Sequence, residues 1–260
     1  MIESLNSPHV VRVKALISSR GVKERKSTGH FVAEGMQCAR EALTSAEGPK
    51  IETLYLTANG RSKIEAIADV SGINTFDVSD EVMREMSETI TPQGILAICQ
   101  IPQEDLSVIA LNGSRKFIYL SEVQDPGNAG TILRSADAFG MDAVITSPGS
   151  VDMYSPKVVR STAGSLWHIP VFESIAIEDL LARGISAFSL GATGTKALSS
   201  FVATTDTVAI FGNEARGLST AQDVAQIEVV SIPMPGNAES LNLSAAATIV
   251  MYHLANIPSS

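Results

Sequence analysis

Between Ser7 and Ser19 the apolar residues Val10, Val11, Val13, Leu16 and Ile17 recur at helical spacing, with Ser7 and Pro8 placed as a cap and a first turn. A helix is predicted to open the chain. Residues 20–29 are polar and basic and read as a loop, after which HFVAEG (His30 to Gly35) reads as a short strand entering a helix that runs through Glu41 to Ala46. Glu34 and Gly35 mark that junction. Then IETLYLT, INTFDVS and ILAICQI read as strands, separated by helical stretches over Arg61–Asp69 and Asp80–Met86. The alternation predicts a small α/β domain over residues 1–104.

Residues 105–114 mix polar positions with one apolar run and read as a linker. A second α/β series fills residues 115–260. Its strand Lys116–Val123 runs into a tight loop containing Asp125, Pro126, Gly127, Asn128 and Gly130, and Ile132, Leu133, Ala136 and Phe139 mark the helix beyond it. Strands are predicted over Ala143–Pro148, at the end of STAGSLWHIPVF, in SAFSLGAT and TVAIF, and over Val229–Ile232, with a short helix over Ser155–Arg160. Several of these strands end in glycine-rich turns, and open α/β sheets bind ligands at such carboxyl edges. A dinucleotide fingerprint is absent: Gly127 and Gly130 stand three apart and the next glycine is Gly140.

Pro233, Pro235 and Gly236 stop the last strand, and from Leu243 small apolar residues predict a helix buried on most of its circumference. Between them lie Asn237, Glu239, Ser240 and Asn242. A capped helix with Ser240 or Asn242 as N-cap accounts for this pattern, and so does a ligand site, because a helix start offers unpaired N–H groups.

Composition narrows the classes. In 260 residues, 45% are apolar and 18% charged, enough for a substantial core and too little polarity for disorder. The net charge of −9 excludes a uniformly basic coat for indiscriminate nucleic-acid binding, yet the first 26 residues carry six basic side chains against two acidic ones. Lys157 and Arg160, one helical turn apart, can present two more cations on one face. Cys38 and Cys99 belong to no metal-like or disulfide pattern, and His9, His30, His168 and His253 lack ligand spacing. The polar N-terminus and the lack of a long apolar run predict a soluble, cytoplasmic protein.

Three stretches, DPGNAGTILRSADAFG, FGNEARGLS and IPMPGNAESLNLSAAATI, stand in one order and closely resemble the three motifs of the SpoU/TrmH family of S-adenosylmethionine-dependent RNA ribose 2′-O-methyltransferases, within the SPOUT superfamily. The first hundred residues, from SPHVVRVKAL through FVAEG, resemble the substrate-binding domain that often precedes this catalytic domain. The resemblance implies an α/β fold with a small N-terminal RNA-binding domain and a C-terminal α/β-knot methyltransferase domain holding a deep trefoil knot, in a homodimer. It implies S-adenosylmethionine as methyl donor, no metal, and ribosomal RNA ahead of transfer RNA as substrate. A non-catalytic RNA-binding module of the same fold is the alternative.

Carried over by motif position, Asn128, Arg134, Glu214, Ser240 and Asn242 are the catalytic candidates. Gly191, Ala192, Gly212, Asn213, Gly217, Ile232, Met234, Leu241 and again Asn242 are the donor-binding candidates, with Ile232 and Leu241 covering the adenine faces and backbone groups reading its edge. Arg12, Lys23, Arg25, Lys26, Lys157 and Arg160 are the candidate RNA phosphate contacts. Methyl transfer to a ribose hydroxyl is an in-line displacement by a poor nucleophile. Arg134 either accepts the hydroxyl proton or stabilises the forming alkoxide; a guanidinium is a poor proton acceptor, so stabilisation is the easier role, with an RNA phosphate as a further acceptor. Glu214 fixes Arg134 or a loop backbone, and Asn128, Ser240 and Asn242 orient ribose and donor.

Overall fold

The structure is a computed structural model that describes residues 1–103, 105–191, 194, 196–212 and 227–257. In chain order the first elements are α1 (Pro8–Ile17), α2 (Gly21–Thr28), β1 (His30–Glu34), α3 (Met36–Thr44), β2 (Ile51–Leu56), α4 (Ala58–Glu65), β3 (Thr75–Asp77), α5 (Asp80–Met86) and β4 (Ile95–Gln100). There follow β5 (Lys116–Leu120), α6 (Pro126–Ala138), β6 (Ala143–Thr146), α7 (Pro156–Ser161), β7 (Val171–Phe172), α8 (Ile177–Ala182), β8 (Ser186–Leu190), β9 (Lys196–Ala197), β10 (Thr207–Phe211), β11 (Glu228–Ser231) and α9 (Leu243–Ala255). The chain divides into one unit of Met1–Gln103 with Asp152–His168 and a second of Glu104–Val151 with Ile169–Ser260.

The first unit is built on a four-stranded sheet of order β1-β4-β2-β3, antiparallel except for the parallel β2–β3 pair. The apolar positions of α1 that the spacing picked out, Val10, Val13 and Leu16, are buried with Val82, Met83 and Met86 of α5 against Val32, Tyr55, Leu96 and Ile98 of the sheet. Segment 152–168 belongs to this unit, although the sequence reading assigned it to the second domain. The reason is aromatic packing. Trp167 is fully buried, lies 6.1 Å from the Phe31 ring between centroids and donates its indole N–H to the Pro49 carbonyl at 2.9 Å. Gly48, at φ +78, leaves the space Trp167 needs: a Cβ there would stand 2.8 Å from the Trp167 carbonyl oxygen.

Residues 20–29 were expected as a loop and form α2 instead. Its sequence, GVKERKST, has no apolar stripe to announce a helix. What holds it is Arg25, which is 2% exposed, ion-pairs with Asp152 at 2.7 Å and also donates to the Leu16 carbonyl. The helix ends at Gly29 in the left-handed conformation that favours glycine.

The second unit carries a seven-stranded sheet of order β7-β6-β5-β10-β8-β11-β9 in which every pairing is parallel. Phe117, Tyr119, Val208 and Ile210 point to a core shared with Leu180 of α8. Residues 105–114 are no loose linker. Leu106 is buried in this core, Ile109 and Leu111 pack against it, and Arg183 donates to the Leu106 and Ile109 carbonyls. At the far end of the segment the buried Asp206 carboxylate accepts from the backbone N–H groups of Asn112, Gly113 and Arg115, the last at 2.8 Å. Burial pushes its pKa up, but these amides outweigh burial and hold it below the usual carboxylate value. Helix α9 buries Ala247, Val250, Met251 and Leu254 only; Ile249 and Tyr252 are 40% and 60% exposed, so the expectation of burial round most of its circumference is corrected to burial on one face.

Two substitutions test these anchors. Arg25→Ala leaves the Asp152 carboxylate unpaired inside the first unit and is expected to cost about 3–5 kcal/mol, read in urea by the fluorescence of Trp167. Asp206→Ala strands several amides and is expected to cost about 2–3 kcal/mol at neutral pH. Because folding lowers the pKa of Asp206, its contribution is present above the ordinary carboxylate range and fades as pH falls through the folded value, so the gap between wild type and variant narrows in acid.

Candidate functional site

In a parallel sheet every carboxyl end lies on the same edge. Four neighbouring strands, β5, β10, β8 and β11, therefore deliver their exits side by side. Past β5 comes Glu122 at φ 52, a backbone conformation uncommon outside glycine, with its N–H held by Ser147 Oγ at 2.8 Å. Asp125 then caps α6, its carboxylate accepting from the Asn128 N–H at 2.7 Å. Past β10 comes Gly212, past β8 Gly191, and past β11 Ile232. Gly191 donates to the Val230 carbonyl at 3.0 Å, and a Cβ at Gly194 would meet the Ser231 amide at 2.8 Å, so glycine permits the closest approach of these loops.

The third motif closes on the first through Asn242. Asn242, not Ser240, is the N-cap of α9: its Oδ1 accepts from the N–H groups of Ser244 at 2.9 Å and Ala245 at 3.2 Å. Its Nδ2 donates to Asn128 Oδ1 at 3.1 Å. Helices α6 and α9 pack together, and Ser135 meets Thr248 at 2.9 Å between hydroxyls. The same edge thus joins Asn128 to Asn242.

Arg134 stands exposed on α6, with no ion-pair partner among the described residues. Ser240 is exposed. Ile232 is half-buried, while Met234 and Leu241 expose 36% and 38% of their surface, apolar area facing water at a sheet edge. Glu214, Ala192, Asn213 and Gly217 lie outside the described residues. Main-chain turns beside apolar side chains suit an adenosyl ligand, whose base has two apolar faces and a polar rim.

The basic candidates separate into two groups. Lys23, Lys26 and Lys157 are exposed. Arg25 is buried in its ion pair with Asp152, which corrects its reading as a phosphate contact, since a guanidinium already desolvated and paired has no free face. Arg12 makes a bidentate pair with Glu52, 2.8 Å on both arms, which raises its own pKa and lowers that of Glu52. Arg160 reaches Glu88 at 3.1 Å and Glu34 at 3.5 Å rather than pointing with Lys157 to water. Both Arg160 and Lys157 belong to the first unit. These pairs join residues far apart in sequence, which no spacing rule reports.

Cys38 and Cys99 are free and buried, and burial raises both thiol pKa values, that of Cys38 to about 11. Each histidine meets a protein group: His9 the Tyr55 hydroxyl, His30 Glu52, His168 Glu41 and His253 the Phe201 carbonyl. Among the described residues no cluster could hold a metal ion, and no helix is long and apolar enough to cross a membrane.

Residues 115–252 match the SpoU rRNA Methylase family, and residues 9–97 match an MRM3-like substrate binding domain. The chain is 34% identical to the 23S rRNA (guanosine(2553)-2′-O)-methyltransferase RlmP of Bacillus subtilis over 89% of this chain and 91% of that protein. It is 29% identical to a 23S rRNA (uridine(2479)-2′-O)-methyltransferase of Streptomyces viridochromogenes over 92% of this chain and 86% of that one. The AdoMet-bound rRNA methyltransferase from Sinorhizobium meliloti superposes with a TM-score of 0.84 at 27% identity, covering 97% of this chain and 96% of that chain. The SpoU methyltransferase AviRb from S. viridochromogenes in complex with AdoMet gives 0.84 at 26%, covering 96% and 97%. With Asn128 of the first motif hydrogen-bonded to Asn242 of the third and likeness running through both units, the chain belongs to the SpoU rRNA methylase family.

Proposed function

We propose that the protein transfers a methyl group from S-adenosylmethionine to a ribose 2′-hydroxyl of large-subunit ribosomal RNA. The observation that carries this reading is the Asn128–Asn242 hydrogen bond, which ties the first and third motifs together beside the exposed Arg134. The relatives named above act on 23S rRNA, and two of the neighbouring structures hold AdoMet.

Gly191, Gly212 and Ile232 contribute main-chain groups to the donor's adenine rim, and Met234 and Leu241 bury their apolar surface on it, with Ala192, Asn213 and Gly217 as further candidates. The donor supplies an electrophilic methyl whose C–S bond breaks as the C–O bond forms, leaving a neutral thioether. Arg134 donates to the ribose oxygen as its negative charge develops, and the hydroxyl proton passes to solvent or to an RNA phosphate oxygen. Stabilising that alkoxide is electrostatic work done by a preplaced donor. Asn128 and Ser240 orient the ribose, Asn242 holds Asn128, and Glu214 steadies Arg134. Lys23, Lys26 and Lys157 meet RNA phosphates; Arg12 and Arg160 do so only by leaving their carboxylate partners.

The C-terminal segment forms the trefoil knot of the superfamily, and two copies pair through the exposed Ile249 and Tyr252 face of α9, an apolar patch that association would remove from water. The first unit recruits the RNA and the second carries the chemistry, in the cytoplasm with the ribosome.

Labelled methyl from S-adenosylmethionine is expected to enter unmodified 23S rRNA at a ribose 2′-O and to spare transfer RNA. Arg134→Lys keeps the charge but loses the planar fork, so turnover is expected to fall about 100-fold or more with donor affinity retained; near-normal turnover removes Arg134 from the chemistry. Asn242→Asp keeps the cap acceptor but loses the donor to Asn128. Its stability is expected to stay within about 0.5 kcal/mol of wild type while methyl transfer drops, a split that calorimetry and the transfer assay read separately.

A further inference from the structure

The loop of residues 87–94 in the first unit is pinned at both ends and apolar at its tip. At its start, the Glu34 carboxylate, itself 8% exposed, accepts from the Glu88 N–H at 3.3 Å and from the Thr89 hydroxyl. At its end, the Gly94 carbonyl accepts from the Thr57 N–H at 2.9 Å, and Gln93 Oε1 accepts from the Met36 N–H at 2.7 Å. Gly94 sits at φ +80, where a Cβ would collide with Thr57 Oγ1 at 2.3 Å, and Gly60 packs so close that a Cβ there would stand 2.0 Å from the Gly94 carbonyl. Between these anchors Ile90 is 97% exposed.

A buried carboxylate and two glycines thus fix a backbone that holds a β-branched apolar side chain out in water. Folding gains nothing from that exposure, since a polar residue at the same place would keep every anchor. The loop is also a ridge between two clefts. One, of about 230 Å³, is lined by Ile90, Arg84, Asp80 and Thr57; the other, of about 260 Å³, by Arg160, Thr89 and the opening residues of α3. Thr91 and Gln93 line both. Arg84 donates Nε–H to the Asp80 carbonyl and makes no ion pair among the described residues. Arg160 carries a buried Nη1 with no hydrogen-bond acceptor among the described residues, 3.5 Å from Glu34.

We propose that this ridge reads an unpaired nucleotide of the RNA substrate: Ile90 packs on the face of an unstacked base, Thr91 and Gln93 meet its polar edge, and the guanidinium of Arg84 meets the adjoining phosphate. Base faces accept apolar partners irrespective of sequence, and a pre-shaped loop loses little entropy on binding. A single-stranded segment fits better than a duplex, because duplex RNA offers no splayed base to a protruding side chain. Glu34 is a positioning residue that holds the loop. The assignment rests on the proposed RNA methyl transfer and adds where the first unit grips its substrate.

The test is steady-state methyl transfer to in-vitro-transcribed 23S rRNA by the full-length protein carrying Ile90→Ser or Ile90→Phe, surface changes that leave the core intact. Ile90→Ser is expected to raise KM for RNA about tenfold, with kcat and KM for S-adenosylmethionine unchanged, and Ile90→Phe to restore or improve on the wild-type KM. An unchanged KM for RNA in Ile90→Ser overturns the proposal, leaving the tip for a protein contact, while the wild-type activity leaves the methyltransferase reading intact. Absence of transfer by the wild type overturns both together.

Discussion

The parallel pairing of β5, β10, β8 and β11 is the constraint on which the rest of the second unit depends. It forces four successive exits to one edge, so the side chains that follow each strand meet whatever their separation in sequence. Antiparallel pairing would scatter them to opposite ends. From that edge the chain turns into α6 and α9, and the two residues that cap or face those helix starts, Asn128 and Asn242, are the ones hydrogen-bonded to each other. Capping and site assembly are therefore one geometric event. A helix start needs a side-chain acceptor, and the amide of Asn242 has an acceptor for the cap and a donor left over for Asn128.

The first unit uses charge differently. Three of its carboxylates serve as anchors: Asp152 holds Arg25 and with it α2, Glu52 holds Arg12, and Glu34 holds the loop that presents Ile90. A charge removed from water without a partner is costly, so such anchors tolerate few alternative arrangements. Arg25 and Arg12 are taken up by such pairs, whereas Lys23, Lys26 and Lys157 remain at the surface.

The elements that hydrophobic spacing announced are those whose burial is local. Helix α1, with Val10, Val13 and Leu16 on one face, and the apolar strands of both sheets are legible because an amphipathic period of a helix, or a run of β-branched residues in a strand, is written in neighbouring positions. The helix start at Asn242 was legible too, through turn chemistry. Helix α2 was not, since its stability comes from an ion pair 127 residues away, and neither was the docking of residues 105–114, whose polar groups are satisfied by Asp206 and Arg183, both far away in sequence.

What the sequence by itself determined, then, is the α/β class, most of the strands and helices though not all their bounds, and the chemical kind of side chain beside each turn, because these follow from local propensity, periodicity and capping. Only the tertiary structure decided which charges are spent. Arg25 and Arg160 read alike as exposed cations, yet one is sealed against Asp152 and the other leans on Glu34 and Glu88. It likewise decided that segment 152–168 belongs with the first unit and that α9 keeps Ile249 and Tyr252 in water. The physical reason is common to all of these: desolvation and pairing energies depend on neighbours in space, and a one-dimensional pattern records neighbours only along the chain.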